Sequence, residues 1–163
     1  MTIRLAQASD HGHIWEIFSV VILTGDTYVF DPKTQKKDLG KLWFAPTMET
    51  YILEEQGKIL GTYFIRPNQI DLGSHIGNCS YMVHPRAQAR GLGKMLCAHS
   101  LQRGKELGFI GIQFNIVVSS NTAAVALWEK FGFRIIGTIP KGFRHDDLGF
   151  VDTHIMYRAQ SDD

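Results

Sequence analysis

Cysteine is scarce in this chain. Only two of its 163 residues are cysteines, Cys79 and Cys97, and their spacing is not that of a metal-binding motif. One possible pair cannot supply the disulfide framework that holds small secreted domains together. We therefore predict that both cysteines lie in the core as small apolar side chains.

An excess of one charge and a long apolar run are also missing. Seventeen Lys and Arg stand against sixteen Asp and Glu, which gives a formal net charge of +1 at pH 7, and no basic tail occurs. This balance does not favour nucleic-acid binding. A membrane-spanning helix needs about 18 or more apolar residues in succession. No such run and no signal-peptide pattern is found, so we expect a cytoplasmic protein without a membrane partner.

The histidines do not form a recognisable set of metal ligands. His11 and His13 fall at the predicted start of a helix, and His145 and His154 lie beside or within the last predicted strand. His154 shares a strand face with Asp152, so either could reach a substrate pocket from the last strand, but we interpret both as solvent-exposed positions. We predict that the protein has no metal site.

Hydrophobic periodicity divides the chain into alternating strands and helices. Strands are predicted over residues 2–7, 74–83, 110–118, 134–140 and 151–158, and a hairpin over 50–66 turns at Gln56–Gly57. Helices are predicted after an N-cap at Ser9 and over 31–44, 91–108 and 121–132, and a polar loop over 141–149. The pattern predicts one α/β domain over residues 1–163: a mixed, mostly antiparallel sheet of about seven strands with helices on both faces.

Two glycines, Gly91 and Gly93, lie between a predicted strand and a predicted helix. The first turn of a helix has free N–H groups and partial positive charge, and glycine lets an anion approach them closely. Arg90 and Lys94 add positive charge beside this turn. The dinucleotide fingerprint would need a glycine where Leu96 stands, and a P-loop would need Ser or Thr after Lys94. Neither pattern fits, so phosphate binding of another kind and a simple tight turn both stay open.

Residues 88–93, Gln-Ala-Arg-Gly-Leu-Gly, match the pattern Q/R-x-x-G-x-G/A. With it, the sequence resembles the GNAT superfamily of acyl-coenzyme-A-dependent N-acetyltransferases. The segment SSNTAAVALWEKFGF, residues 119–133, resembles the family's later motif of Asn, Ala, an aromatic residue and Gly-Phe. The order of strands and helices from residue 2 to about 157 also agrees with the family fold. The resemblance implies an enzyme with acetyl-coenzyme A (acetyl-CoA) as its co-substrate.

The resemblance implies a set of cofactor-binding residues. The backbone amides of 88–94 would hold the pyrophosphate, the backbone of 81–83 would pair with the pantetheine arm, and the Val83 N–H would polarise the thioester carbonyl. Asn121 matches an asparagine that contacts the cofactor, a role compatible with capping a helix. The full implied set is Tyr81, Met82, Val83, Gln88, Ala89, Arg90, Gly91, Leu92, Gly93, Lys94 and Asn121.

Two residues depart from the family's usual catalytic pattern. Trp128 stands where the family commonly has a tyrosine that acts as a general acid, and an indole N–H is not usefully acidic. Ile116 stands where some members have a glutamate. Trp128 is therefore predicted to pack in the core or beside the cofactor. Water is expected to accept the proton of the amine.

Asn78 and Asn115 are the candidates for orienting the substrate. Both lie on predicted central strands, and an amide orients an amine or a carboxylate without exchanging a proton at pH 7. Their contexts, with Trp128, resemble a narrower branch, the yeast N-acetyltransferases that act on proline analogues such as azetidine-2-carboxylate. A hydrogen-bonded pair inside the sheet is the alternative reading.

The expected activity is transfer of the acetyl group of acetyl-CoA to the amine of a small molecule in a ternary complex. The acceptor would be an amino acid, an imino acid or an analogue. A peptide or protein N-acetyltransferase and a non-catalytic coenzyme-A-binding module are the alternatives, although the near-neutral composition gives no sign of a charged peptide groove. An exposed edge strand would also allow a homodimer.

Overall fold

Seven strands form one sheet in the computed structural model, which describes residues 1–160. The strands are β1 (Thr2–Leu5), β2 (Glu49–Glu55), β3 (Lys58–Pro67), β4 (Ile76–Val83), β5 (Gly111–Val118), β6 (Arg134–His145) and β7 (Gly149–Ala159). Their order across the sheet is β1-β2-β3-β4-β5-β7-β6. Every neighbouring pair is antiparallel except β4 and β5, which are parallel. The predicted mixed, mostly antiparallel sheet is confirmed.

Four α-helices cover the two faces of the sheet. They are α1 (His11–Ile22), α2 (Leu39–Trp43), α3 (Leu92–Glu106) and α4 (Thr122–Lys130). The helices α1 and α2 pack with Phe64 and Met82, whereas α3 and α4 pack with Tyr63 and Ile65. Because Tyr63 and Phe64 are successive residues of β3, their side chains point to opposite faces. The middle of β3, residues 61–65, is therefore buried on both faces.

The helix predicted over 31–44 is mostly wrong. The structure has a 3₁₀ turn at Lys36–Asp38, and only Leu39–Trp43 is α-helical. The carboxylate of Asp31 accepts the N–H of Lys33 at 2.7 Å, which folds the start of this segment into a turn. Such a local side-chain bond competes with helical hydrogen bonding, so the helix begins later than the sequence pattern suggested.

Ser9 is not the N-cap of the first helix. The chain makes a 3₁₀ turn at Ala8–Asp10 before α1, and the carboxylate of Asp10 accepts the N–H of Gln7 at 2.7 Å. Arg4 donates to the same carboxylate at 2.7 and 3.0 Å. These bonds to Arg4 hold the pKa of Asp10 below its usual value. Asp10 closes the first turn in place of the serine.

The polar loop predicted over 141–149 is also mostly strand. The strands β6 and β7 extend into it and leave only residues 146–148 between them. The register shifts between Ile139 and Phe143, where Lys141 adopts a φ of 55° and donates its N–H to Asp152 at 2.9 Å. This bulge lets a segment with little β-propensity continue the ladder.

The predictions for cysteine and histidine have different outcomes. Cys79 and Cys97 are buried free thiols, as predicted, and burial raises the pKa of each to about 12. His154 is half-buried and hydrogen-bonded to Thr138 at 3.0 Å, so it is less exposed than predicted.

Within residues 1–160, no three His, Cys, Asp or Glu side chains come together as metal ligands. Over the same residues, no helix is long and apolar enough to cross a membrane.

The one parallel pair in the sheet opens soon after it starts. The strands β4 and β5 pair only at Ile76 with Gly111 and at Gly77 with Ile112. Beyond these residues the two strands diverge, while β4 stays paired with β3 up to Val83. The divergence leaves one edge of β4 without a neighbouring strand and creates a gap in the middle of the sheet.

Candidate active site

A cavity of about 380 Å³ occupies the gap between β4 and β5. Its size falls in the range of small-molecule sites. The segment 27–30 and α2 lie on one side of it, and Asn121, Ala124 and Trp128, at the start of α4 and within it, lie on the other. The cavity is therefore bounded by both layers of helices and by the open edge of β4.

The backbone of β4 alternates between its neighbour β3 and the gap. The N–H of His84 donates to Leu60 at 2.8 Å, and the carbonyl of Ile76 accepts from Asn68 at 2.7 Å, so the even-numbered residues face β3. The odd-numbered residues, among them Tyr81 and Val83, therefore turn their N–H and C=O groups toward the gap. Both were predicted to pair with pantetheine, but only Val83 has gap-facing groups without a partner in the described part of the chain, because a side chain already binds those of Tyr81.

The backbone polar groups of Met82, unlike those of Tyr81 and Val83, point away from the gap. By the same alternation its backbone bonds to β3, and its side chain is fully buried among the residues that pack against α1. The structure does not bring its polar groups to the gap.

The hydroxyl of Tyr28 reaches into the gap and holds the edge of β4. It accepts the N–H of Tyr81 at 3.1 Å and donates to the carbonyl of the same residue. Burial raises the pKa of Tyr28, so this hydroxyl stays neutral and can both donate and accept. Tyr28 thus makes the bonds to β4 that a neighbouring strand would make. It was missed from the sequence because it lies outside any regular element.

Asn78 and Asn115 both line the cavity, as residues of adjacent strands. Asn78 is buried, and its amide donates to the carbonyl of Gln113 on β5 at 2.9 Å. Asn115 is exposed and donates to the side chain of Asn68 at 2.8 Å. Each therefore uses one amide N–H inside the protein, and their bonds are to other residues rather than to each other. Asn78 spans the point where the two strands separate.

Aromatic rings form the wall of the cavity on the α4 side. Trp128 is buried, and its ring lies 4.9 Å from Phe114 and 5.0 Å from Tyr81. This packing agrees with the prediction that Trp128 is a wall or core residue. Ile116 is exposed at the cavity rim and offers no titratable group.

The first turn of α3 presents a row of free amides. The first helical hydrogen bond runs from Met95 to the carbonyl of Gly91 at 3.2 Å. Within residues 1–160, the N–H groups of residues 90–94 have no protein acceptor. Gly91 has a φ of 74°, and a Cβ atom there would point into open space. These features fit the pyrophosphate of acetyl-CoA, which would bind along residues 90–94. The N–H of Gln88, which was predicted to take part, donates instead to the carbonyl of Pro85 at 3.3 Å.

Of the two cationic side chains near this turn, one is already paired with a carboxylate and the other, within the described part of the chain, is free to bind a phosphate. Arg90 forms an ion pair with Glu55 at 2.6 Å, and this contact lowers the pKa of Glu55. Lys94 is exposed and makes no ion pair within the described residues. Asn121 caps α4 by accepting the N–H of Ala124 at 3.2 Å, and it also lines the cavity. A phosphate would meet Lys94 directly and compete with Glu55 for Arg90.

A free helix N-terminus thus lies beside a split parallel strand pair, an arrangement that can hold an anion and an extended chain together. The model of the acetyltransferase (GNAT) family matches residues 15–133, and the chain belongs to that family. It is an acetyl-CoA-dependent N-acetyltransferase, as its sequence motifs indicated.

Known proteins resemble this chain over nearly its whole length. A GCN5-related N-acetyltransferase from Kribbella flavida is 36% identical, with a TM-score of 0.92 over 97% of this chain and 96% of that one. The L-amino acid N-acyltransferase MnaT of Escherichia coli is 28% identical over 99% of this chain and 98% of its own. A phosphinothricin acetyltransferase from Sinorhizobium meliloti, solved with acetyl-CoA, shares the fold with a TM-score of 0.86. It is 22% identical, and the match covers 97% of this chain and 87% of that one.

Proposed function

We propose that this protein acetylates the amine of a small molecule, an amino acid, an imino acid or an analogue. The observation that carries the proposal is the cavity between β4 and β5, which is bounded by helices on both sides and measures about 380 Å³. That volume suits a single amino acid beside the acetyl group. The similarity to an L-amino acid N-acyltransferase supports the same acceptor class.

In the proposed reaction the neutral amine attacks the thioester carbonyl, and the thiolate of coenzyme A leaves. The N–H of Val83 faces the gap and would stabilise the oxyanion that develops on that carbonyl. Asn78 and Asn115 would orient the amine, and water would take its proton. A thiolate is a good enough leaving group to need no strong acid, because thiols are far more acidic than alcohols.

Thiol release from acetyl-CoA tests this proposal. The acceptor panel contains free L-amino acids, L-proline, L-azetidine-2-carboxylate, polyamines and short peptides. The variants are Asn78→Ala and Asn115→Ala, with Gln102→Ala on the exposed side of α3 as the matched control. We expect release with free amino or imino acids, a loss in the two asparagine variants and no change in the control. Release with peptides alone would overturn the proposal.

A further inference from the structure

The cavity between β4 and β5 carries positive charge and no carboxylate. Lys41 and Arg66 line it, and within residues 1–160 none of its lining residues is Asp, Glu or His. The rest of the wall is apolar or uncharged. Unbalanced cationic side chains in a partly enclosed pocket attract an anionic group of the ligand.

Arg66 is half-buried and lines this cavity. It lies on β3 directly opposite Asn78 on β4, so both side chains project from the same face of the sheet. Its guanidinium lies over the ring of Phe64, with 5.5 Å between the guanidinium carbon and the ring centroid. The Nε atom is buried and has no hydrogen-bond partner among the described residues.

Nothing in the described part of the chain neutralises Arg66. Within residues 1–160 it takes part in no ion pair and no side-chain hydrogen bond. Glu49, which lines a neighbouring depression together with Arg66, accepts two bonds from Arg103 at 2.8 and 2.9 Å. Arg66 as a whole is half-buried, but its buried Nε donor lacks an acceptor, which is unfavourable and favours a ligand as the partner.

The chemistry of that ligand follows from the shape of the side chain. A guanidinium is a planar fork whose N–H groups match the two oxygens of a carboxylate. Tyr81 lies three residues beyond Asn78 on β4, about 10 Å further along at the usual rise per residue. The Arg66 guanidinium extends along β3 toward Phe64, so a carboxylate bound to it would leave the adjacent amine on the side of the open backbone edge at Val83.

We propose that Arg66 binds the carboxylate of the acceptor, so that the enzyme requires a free carboxylate next to the amine. This inference rests on the proposed acetylation of small molecules and narrows it. Amino and imino acids are acceptors, whereas their carboxamides and simple amines are poor ones. Arg66 determines specificity and takes no part in proton transfer.

The test compares L-methionine with L-methioninamide, and L-proline with L-prolinamide, by thiol release from acetyl-CoA. The variants are Arg66→Gln and Arg66→Lys, and Arg134→Gln, at an exposed position on β6, is the matched control. We expect the wild type to prefer each acid over its amide. Arg66→Gln should lower kcat/KM for the acids about 10- to 100-fold, mainly through KM, and change it less than about twofold for the amides. Arg66→Lys should restore part of the preference because it restores the charge.

A binding measurement provides a readout that does not depend on turnover. N-acetyl-L-methionine should raise the Tm of the wild-type protein more than N-acetyl-L-methioninamide does, and Arg66→Gln should abolish the difference. Equal loss for acids and amides in Arg66→Gln, or equal use of both by the wild type, would refute the carboxylate role while leaving small-molecule acetylation intact. Acetylation of peptides alone would instead refute the proposed function. If no acceptor turns over, equal Tm shifts by the two ligands would still refute the role of Arg66.

Discussion

Replacing Gly91 by alanine should lower the affinity for acetyl-CoA strongly and the folding stability only slightly. Gly91 has a φ of 74° at the N-terminus of α3, a conformation that costs an alanine about 1 kcal/mol. The Cβ atom would meet no protein atom within 4 Å, so no clash adds to that cost. For a chain of this length, the Tm should fall by about 2–4 °C.

The effect on acetyl-CoA should be larger than the effect on stability. The added methyl group would stand in open space at the turn that carries the free amides, and we expect it to hold a phosphate off the backbone. Loss of one hydrogen bond to a charged group costs about 1.5–3 kcal/mol, which corresponds to a roughly 10- to 100-fold higher Kd. Isothermal titration calorimetry with acetyl-CoA measures this change directly.

Gly108 provides the matched control at the other end of α3. It has a φ of 78°, and a Cβ atom there would also meet nothing within 4 Å. Gly108→Ala should therefore lose about the same stability and keep the affinity for acetyl-CoA. Equal Kd values for the two variants would show that the first turn of α3 does not bind the cofactor.

Three further predictions concern single side chains. Tyr28→Phe leaves the gap-facing N–H and C=O of Tyr81 without their partner, so the free energy of unfolding in urea should fall by about 1–3 kcal/mol. Glu55→Gln releases Arg90 from an exposed ion pair, so the KM for acetyl-CoA should fall about two- to fivefold at low salt and less at high salt. Burial lowers the pKa of His99, so the unfolded state takes up a proton first as the pH falls below about 6.5. The free energy of unfolding should therefore fall from pH 7 to pH 5. His99 contributes at most about 1.4 kcal/mol per pH unit to this fall, and His99→Gln should remove that contribution.

The effect of His99 on stability must be measured above pH 5, because protonation of carboxylates also lowers stability at more acidic pH. Ion pairs with arginines lower the pKa values of Asp10 and Glu49. Their contribution to stability is present above their unfolded pKa values near 4 and is lost below them. The two pH ranges are therefore distinct. A loss of stability that begins only below pH 5 would contradict the role given to His99.

The free amides at the start of α3 were predictable from the sequence because they depend on local geometry. Gly91 and Gly93 precede a helix with a clear apolar period, and free amides at a helix start follow from the backbone alone. Trp128 was predictable as a wall residue for the same reason, because its neighbours Leu127 and Phe131 fix its face on the helix.

The acceptor side depends on contacts between distant segments. Arg66 is separated by 12 positions from its strand partner Asn78, and Tyr28 lies 53 positions from the strand edge that it holds. No periodic pattern reports such contacts. A single arginine at the end of an apolar strand gives a weak signal, and only the missing partner of its buried Nε distinguishes it from a surface residue.

The most direct test of the account is product identification in one competition. The protein is incubated with acetyl-CoA and an equimolar mixture of free L-amino acids, their carboxamides and a short peptide, and the acetylated products are determined by mass spectrometry. Acetylation confined to free amino or imino acids is the predicted result. Acetylation of the peptide in preference to the free amino acids would contradict the account.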